Sequence, residues 1–225
     1  MRSRERALCH DREMKAIDVA RSERQELCDL FLEVGPDAPT LCAGWTTRDL
    51  AAHLVVRESR PNAALGIVVK PLASHADAVQ AKVARRPWPE LVRDVRDGPP
   101  LLSPFRLPGA QSIADPFEFV IHHEDVRRAR PDWRPRVLAN GEQDLLWERL
   151  SRAARLLART APIGVALRRS DTGDLIVAKQ AAQSVTLVGE PLELLLRLYG
   201  RTACIVEVEG APDAVSAFES ARFGL

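Results

Sequence analysis

The feature that most restricts the fold of this chain is a change of hydrophobic period at Pro162. Before it, apolar residues recur at helical spacing; after it, they alternate as in strands. GVALRR and DLIVAK flank the turn sequence SDTG and predict a β-hairpin. QSVTLVG predicts a third strand, PLELLLRLYG a helix closed by Gly200, ACIVEVEG a fourth strand and PDAVSAFESA a final helix. Neither a pure bundle nor a pure sheet accommodates this pattern. The expected class is α+β, with a helical bundle over residues 18–160 and a small α/β domain over 161–225.

The helical part reads as follows. Residues 18–34 place Val19, Leu27, Leu30, Phe31 and Val34 on one stripe, and GPDAP stops the helix. In WTTRDLAAHLVVRES, Thr46 and Asp49 have the spacing of a capping box, with Leu50 and Leu54 as the apolar stripe. ASHADAVQAKVARR and PWPELVRDVRDG predict two more helices. Residues 98–110, rich in proline and glycine, read as an irregular loop, either shaping a pocket or merely connecting. DPFEF opens another helix, with Asp115 as N-cap and Pro116 at its first position. NGEQDLLWERLSRAARLLARTAP predicts a long helix, offering Leu145, Leu146, Leu150, Leu156 and Leu157 to the bundle core. Residues 1–17 read as a flexible extension, with Met14 as an alternative start.

Composition excludes several classes of function. Lys+Arg 32 against Asp+Glu 31 leaves a net charge of +1, which argues against a nucleic-acid or anionic-membrane surface. No apolar run approaches the roughly 18 residues of a membrane span, and the N-terminus lacks the apolar core of a secretory signal. Cys9, Cys28, Cys42 and Cys204 are scattered, with no C-x-x-C pair. That pattern points to a reducing cytoplasm rather than a disulfide scaffold.

Residues 115–130, DPFEFVIHHEDVRRAR, carry the chemistry-bearing side chains. At about 100° per residue, Glu118, His122 and Asp125 share one narrow arc between apolar edges formed by Phe117 and Ile121 and by Phe119 and Val126. His123 points away and, with Glu124, is expected to stand outside the site. Arg127, Arg128 and Arg130 could recognise an anionic ligand, but are rather expected to complement the helix C-terminus and meet solvent. A polar trio between apolar edges faces the interior and requires partners. Three accounts stay open: a capping box completed by Glu118, a buried pair that fixes packing, or a metal held by E-x-x-x-H. His53, beside the Leu50/Leu54 stripe, is the best third ligand, although a core histidine is the commoner case. Asp49 and Asp125, one turn from His53 and His122, are candidates to orient the rings; Asp49 competes with its own capping role.

APTLCAGWTTRDLAAHLVVRE followed by DPFEFVIHHEDVRRA resembles the metal-binding domain of the mycothiol-dependent maleylpyruvate isomerase family of actinobacteria, within the DinB-like four-helix superfamily. The resemblance extends over about residues 18–225, with departures in the middle region and the tail. It implies a divalent-metal triad at His53, Glu118 and His122, with zinc as the expected ion and one coordination position open. It also implies a thiol such as mycothiol, activated for addition to a small-molecule electrophile, as an isomerase or a transferase. The alternative is a non-catalytic metal- or ligand-binding or regulatory protein on the same bundle. Cys42 is expected to be a small buried residue rather than a nucleophile. The tail resembles a sterol-carrier-like α/β unit, whose apolar strands are expected to form core rather than a lipid cavity.

Overall fold

The computed structural model describes residues 16–59, 73–99 and 116–221. Among them are eight helices and one four-stranded sheet, divided between two compact units, Lys15–Arg134 and Pro135–Leu225. No described helix is long and apolar enough to cross a membrane.

The first unit is helical. It contains α1 (Ala16–Val34), α2 (Thr47–Ser59), α3 (Ala73–Ala84), α4 (Trp88–Asp97) and α5 (Pro116–Arg127). α1 packs against α5 and α4, and α2 against α3 and α4. Their shared core includes Leu27, Phe31, Leu50, Leu54, Leu91 and Phe119. Gly35, in the left-handed conformation (φ 82°), ends α1 by returning its N–H to the Phe31 carbonyl at 3.0 Å. The capping box of α2 forms as expected: the Thr46 N–H and hydroxyl donate to Asp49 Oδ2 at 2.9 and 2.7 Å. Asp115, the expected cap of α5, lies outside the described residues, as do the loop 100–110 and residues 1–15.

Two helices are buried more completely than a stripe predicts. Residues 50–56 of α2 are all buried, and so are 117–126 of α5 except the half-buried His122. Glu124 and Arg128 pair in the interior, while Arg127 donates to Glu124 Oε1 at 2.8 Å and Arg128 lies over the Trp133 ring. The expectation that Arg128 meets solvent is therefore corrected. Its guanidinium is satisfied by a buried carboxylate one turn earlier, which periodicity cannot distinguish from an exposed pair.

The second unit holds α6 (Asn140–Leu157), β1 (Gly164–Arg169), β2 (Leu175–Lys179), β3 (Ser184–Gly189), α7 (Pro191–Leu198), β4 (Glu207–Gly210) and α8 (Pro212–Glu219). The sheet order is β2-β1-β3-β4, with β1 parallel to β3 and the other neighbours antiparallel. Val165 and Leu167 of β1, Val185 and Leu187 of β3 and the leucines of α7 are buried together with Phe218. α6 packs on α7 and β2. Gln143 fixes its start by donating to Glu190 at 2.9 Å and accepting the Leu192 N–H at 3.2 Å. α6 thus belongs to the same compact unit as the sheet. Of its leucines, Leu146, Leu150 and Leu157 are buried, whereas Leu156 is exposed. The fourth strand is also shorter than ACIVEVEG predicts. The Ile205 N–H is taken by the buried Glu193 carboxylate at 2.7 Å, so regular pairing starts only at Glu207.

Close approach of β1 to its neighbours depends on Gly164. A Cβ there would lie 2.8 Å from Ser184 Cβ and 3.0 Å from the Ala181 nitrogen. Gly164→Ala is expected to destabilise this unit by about 1–3 kcal/mol, as overpacking does. A denaturant melt followed by circular dichroism checks this, and an unchanged midpoint would contradict it.

Candidate metal centre

Two helices and one loop build the site. α2 delivers His53, which is only 7% exposed, and α5 delivers Glu118, also buried, and the half-buried His122. One donor atom from each of the three lies within 4.8 Å of the other two. His53 Nε2 stands 3.8 Å from Glu118 Oε1. The His53 and His122 rings meet edge to face, with centroids 5.6 Å apart and planes at 76°.

Each of the three has a supporting contact. Asp125 Oδ2 lies 2.9 Å from His122 Nδ1, as the spacing of three residues suggested. Trp45 packs against the His53 ring at a centroid distance of 5.0 Å, and Gln80 of α3 donates to the Asp49 carbonyl, one turn before His53, at 3.4 Å. Arg57, one turn after His53, holds Glu118 Oε2 through its Nε at 2.8 Å. The Asp49 carboxylate takes up the Thr46 N–H and hydroxyl in the cap.

The loop between α1 and α2 ties the site together. The Leu41 N–H donates to the Asp125 carbonyl at 3.0 Å. The Cys42 thiol is 3.2 Å from Asp125 Oδ2, the same oxygen that faces His122. Cys42 is half-buried and hydrogen-bonded rather than a small core residue. The turn that follows it closes with the Trp45 N–H on the Cys42 carbonyl at 2.9 Å. Gly44 adopts φ 79° there with open space around it, so glycine serves the backbone conformation and not a close contact. In this way the CAGW segment places Trp45 on the His53 ring and Cys42 on the carboxylate that faces His122.

Burial first, and then the neighbouring His122 and Arg57, push the His53 pKa down to about 3, against a smaller opposing effect of Gln80. The ring is therefore neutral near neutral pH, the form in which imidazole coordinates metals. Two nitrogen donors and one carboxylate, converging where His53 and Glu118 are buried and with an acceptor on one ring, form a donor set that suits zinc and similar divalent ions. The residues fit the group that the sequence implied.

His123 and Glu124 do not join this convergence, yet neither is solvated. His123 Nδ1 lies 2.7 Å from Glu23 Oε2, a buried pair that fastens α5 to α1. Sequence reasoning missed Arg57, Gln80 and Trp45. Only Arg57 carried a signal, its i+4 position relative to His53 on one helix face.

No protein-family model matches the sequence, and no curated protein matches it. Among solved structures, a histidine-to-alanine mutant of the mycothiol-dependent maleylpyruvate isomerase shares the fold with a TM-score of 0.51 and 13% identity. The match covers 90% of this chain and 95% of that one. The crystal structure of the mycothiol-dependent maleylpyruvate isomerase gives a TM-score of 0.49 at 16% identity over the same shares. At 13% identity the first likeness establishes a common fold and nothing further.

Proposed function

We propose that the helical unit binds one divalent cation, zinc foremost, through His53, Glu118 and His122. With a low-molecular-weight thiol such as mycothiol, the protein then acts on a small electrophilic substrate. The observation that carries this reading is the convergence of three donor atoms from α2 and α5 within 4.8 Å. On the same reading the first unit is a DinB-like bundle and the tail a sterol-carrier-like unit. On this reading the protein works in the reducing cytoplasm, the compartment that suits four scattered cysteines with no C-x-x-C pair.

A bound cation of this kind lowers the pKa of a thiol placed against it, so that thiolate is available near neutral pH. The chain's own residues prepare the place. Asp125 holds the His122 ring in orientation, and Trp45 shields one face of His53 from water. The thiol proton leaves to solvent along the half-exposed side of His122 and Arg57. The sulfur adds to a carbon of an activated double bond, the resulting single bond rotates, and expulsion of the thiolate restores the double bond in its other geometry. No electrons are gained or lost, and the thiol is regenerated; release of the adduct instead would make the protein a transferase.

Metal content measured by mass spectrometry in wild type, Glu118→Ala and His122→Ala tests the assignment. The wild type is expected to hold about one ion per chain and each variant less than about a tenth of that, because two remaining ligands do not retain the ion through purification. Undiminished, stoichiometric metal in both variants would sink the site.

A further inference from the structure

The two oxygens of Glu118 are not equivalent. Oε1 faces His53 Nε2 at 3.8 Å, and Oε2 is held by Arg57 Nε at 2.8 Å. His53 and Arg57 stand one turn apart on α2, so the same helix supplies one ligand and a clamp on another. Arg57 is 38% exposed, whereas Glu118 is 4% exposed at its side chain, so the guanidinium closes the site from the solvent side. A guanidinium on one carboxylate oxygen competes with a cation for that oxygen and draws charge away from the other.

We propose that Arg57 is a positioning residue that restricts Glu118 to one-oxygen coordination through Oε1. This inference rests on the metal site proposed above. Its consequence is functional: a carboxylate that binds through both oxygens fills the position a thiol needs. Holding Oε2 aside preserves a four-coordinate site with one exchangeable position and a more electrophilic ion.

Cobalt(II) added to the metal-free full-length protein reads coordination number directly, since four-coordinate cobalt absorbs visible light more strongly than five- or six-coordinate cobalt. Wild type is expected to show the intense band. Arg57→Met and Arg57→Gln, which release Oε2, are expected to bind cobalt stoichiometrically with the band weakened roughly twofold or more. Arg57→Lys, which keeps the charge, is expected to recover at least about half the lost intensity, a rescue that a mere packing role would not give. Two variants are used so that misfolding of one leaves the other to decide. A wild-type spectrum in whichever of the methionine and glutamine variants folds overturns the role of Arg57 while leaving the site intact. Wild type that takes up no cobalt overturns both the site and this inference.

Discussion

Replacement of His53 by alanine is expected to abolish thiol-dependent turnover, by roughly three orders of magnitude, while the helical unit stays folded. The size follows from two losses that act together. In the proposed site the imidazole is the one ligand contributed by α2, so without it only Glu118 and His122, both on α5, would remain to hold a cation. Two ligands on adjacent turns of one helix do not close a coordination shell. Without the ion, a thiol near its ordinary pKa of about 8.5 is only a few per cent thiolate at neutral pH. The structural penalty is smaller, because His53 faces the polar centre rather than the leucine core and its loss opens a space beside Trp45 and His122. Turnover measured against an activated alkene with and without thiol checks the prediction, alongside circular dichroism to verify folding. Activity in His53→Ala above about a tenth of wild type, still dependent on the thiol, would remove the metal from the mechanism.

How much of this was legible in advance depended on whether an interaction is local. Glu118, His122 and Asp125 sit on consecutive turns of one helix, and helical geometry alone placed them on a common arc. The pairing of His122 with Asp125 is a contact of three residues' separation and emerged as expected. Thr46 and Asp49 form their cap for the same reason. The contacts of Arg57 with Glu118 and of Cys42 with Asp125 join distant segments that carry no mutual periodic signal. Periodicity also failed on α2 and α5, since a helix buried on every side has no single apolar face to reveal. The leucines of α6 announced a buried stripe correctly but could not say which partner it meets, and the partner turned out to be α7 and β2. Side-chain capture of a backbone donor, as Glu193 does at Ile205, likewise leaves no trace in strand propensity.

Glu124 provides the sharpest separation of a structural polar residue from a functional one. It stands beside His123 and next to Asp125, yet its oxygens are directed to Arg127 and Arg128 rather than to the converging ligands. Glu124 and Arg128 are both inaccessible at their side chains, so solvent screening, which makes most surface pairs nearly worthless, does not operate here. Removing one partner of such a pair strands the other charge in a medium that solvates it poorly. Glu124→Ala is therefore expected to cost about 3–5 kcal/mol. Urea melts followed by tryptophan fluorescence suit the measurement, since Trp45, Trp88 and Trp133 lie in the helical unit and only Trp147 outside it. The double variant Glu124→Leu with Arg128→Met removes both charges while filling similar volume, and is expected to recover most of the loss. A cost below about 1 kcal/mol in the single variant would mean that the pair is hydrated in solution. Recovery in the double variant would show that the pair adds no net stability to α5, the helix that carries two of the three proposed ligands.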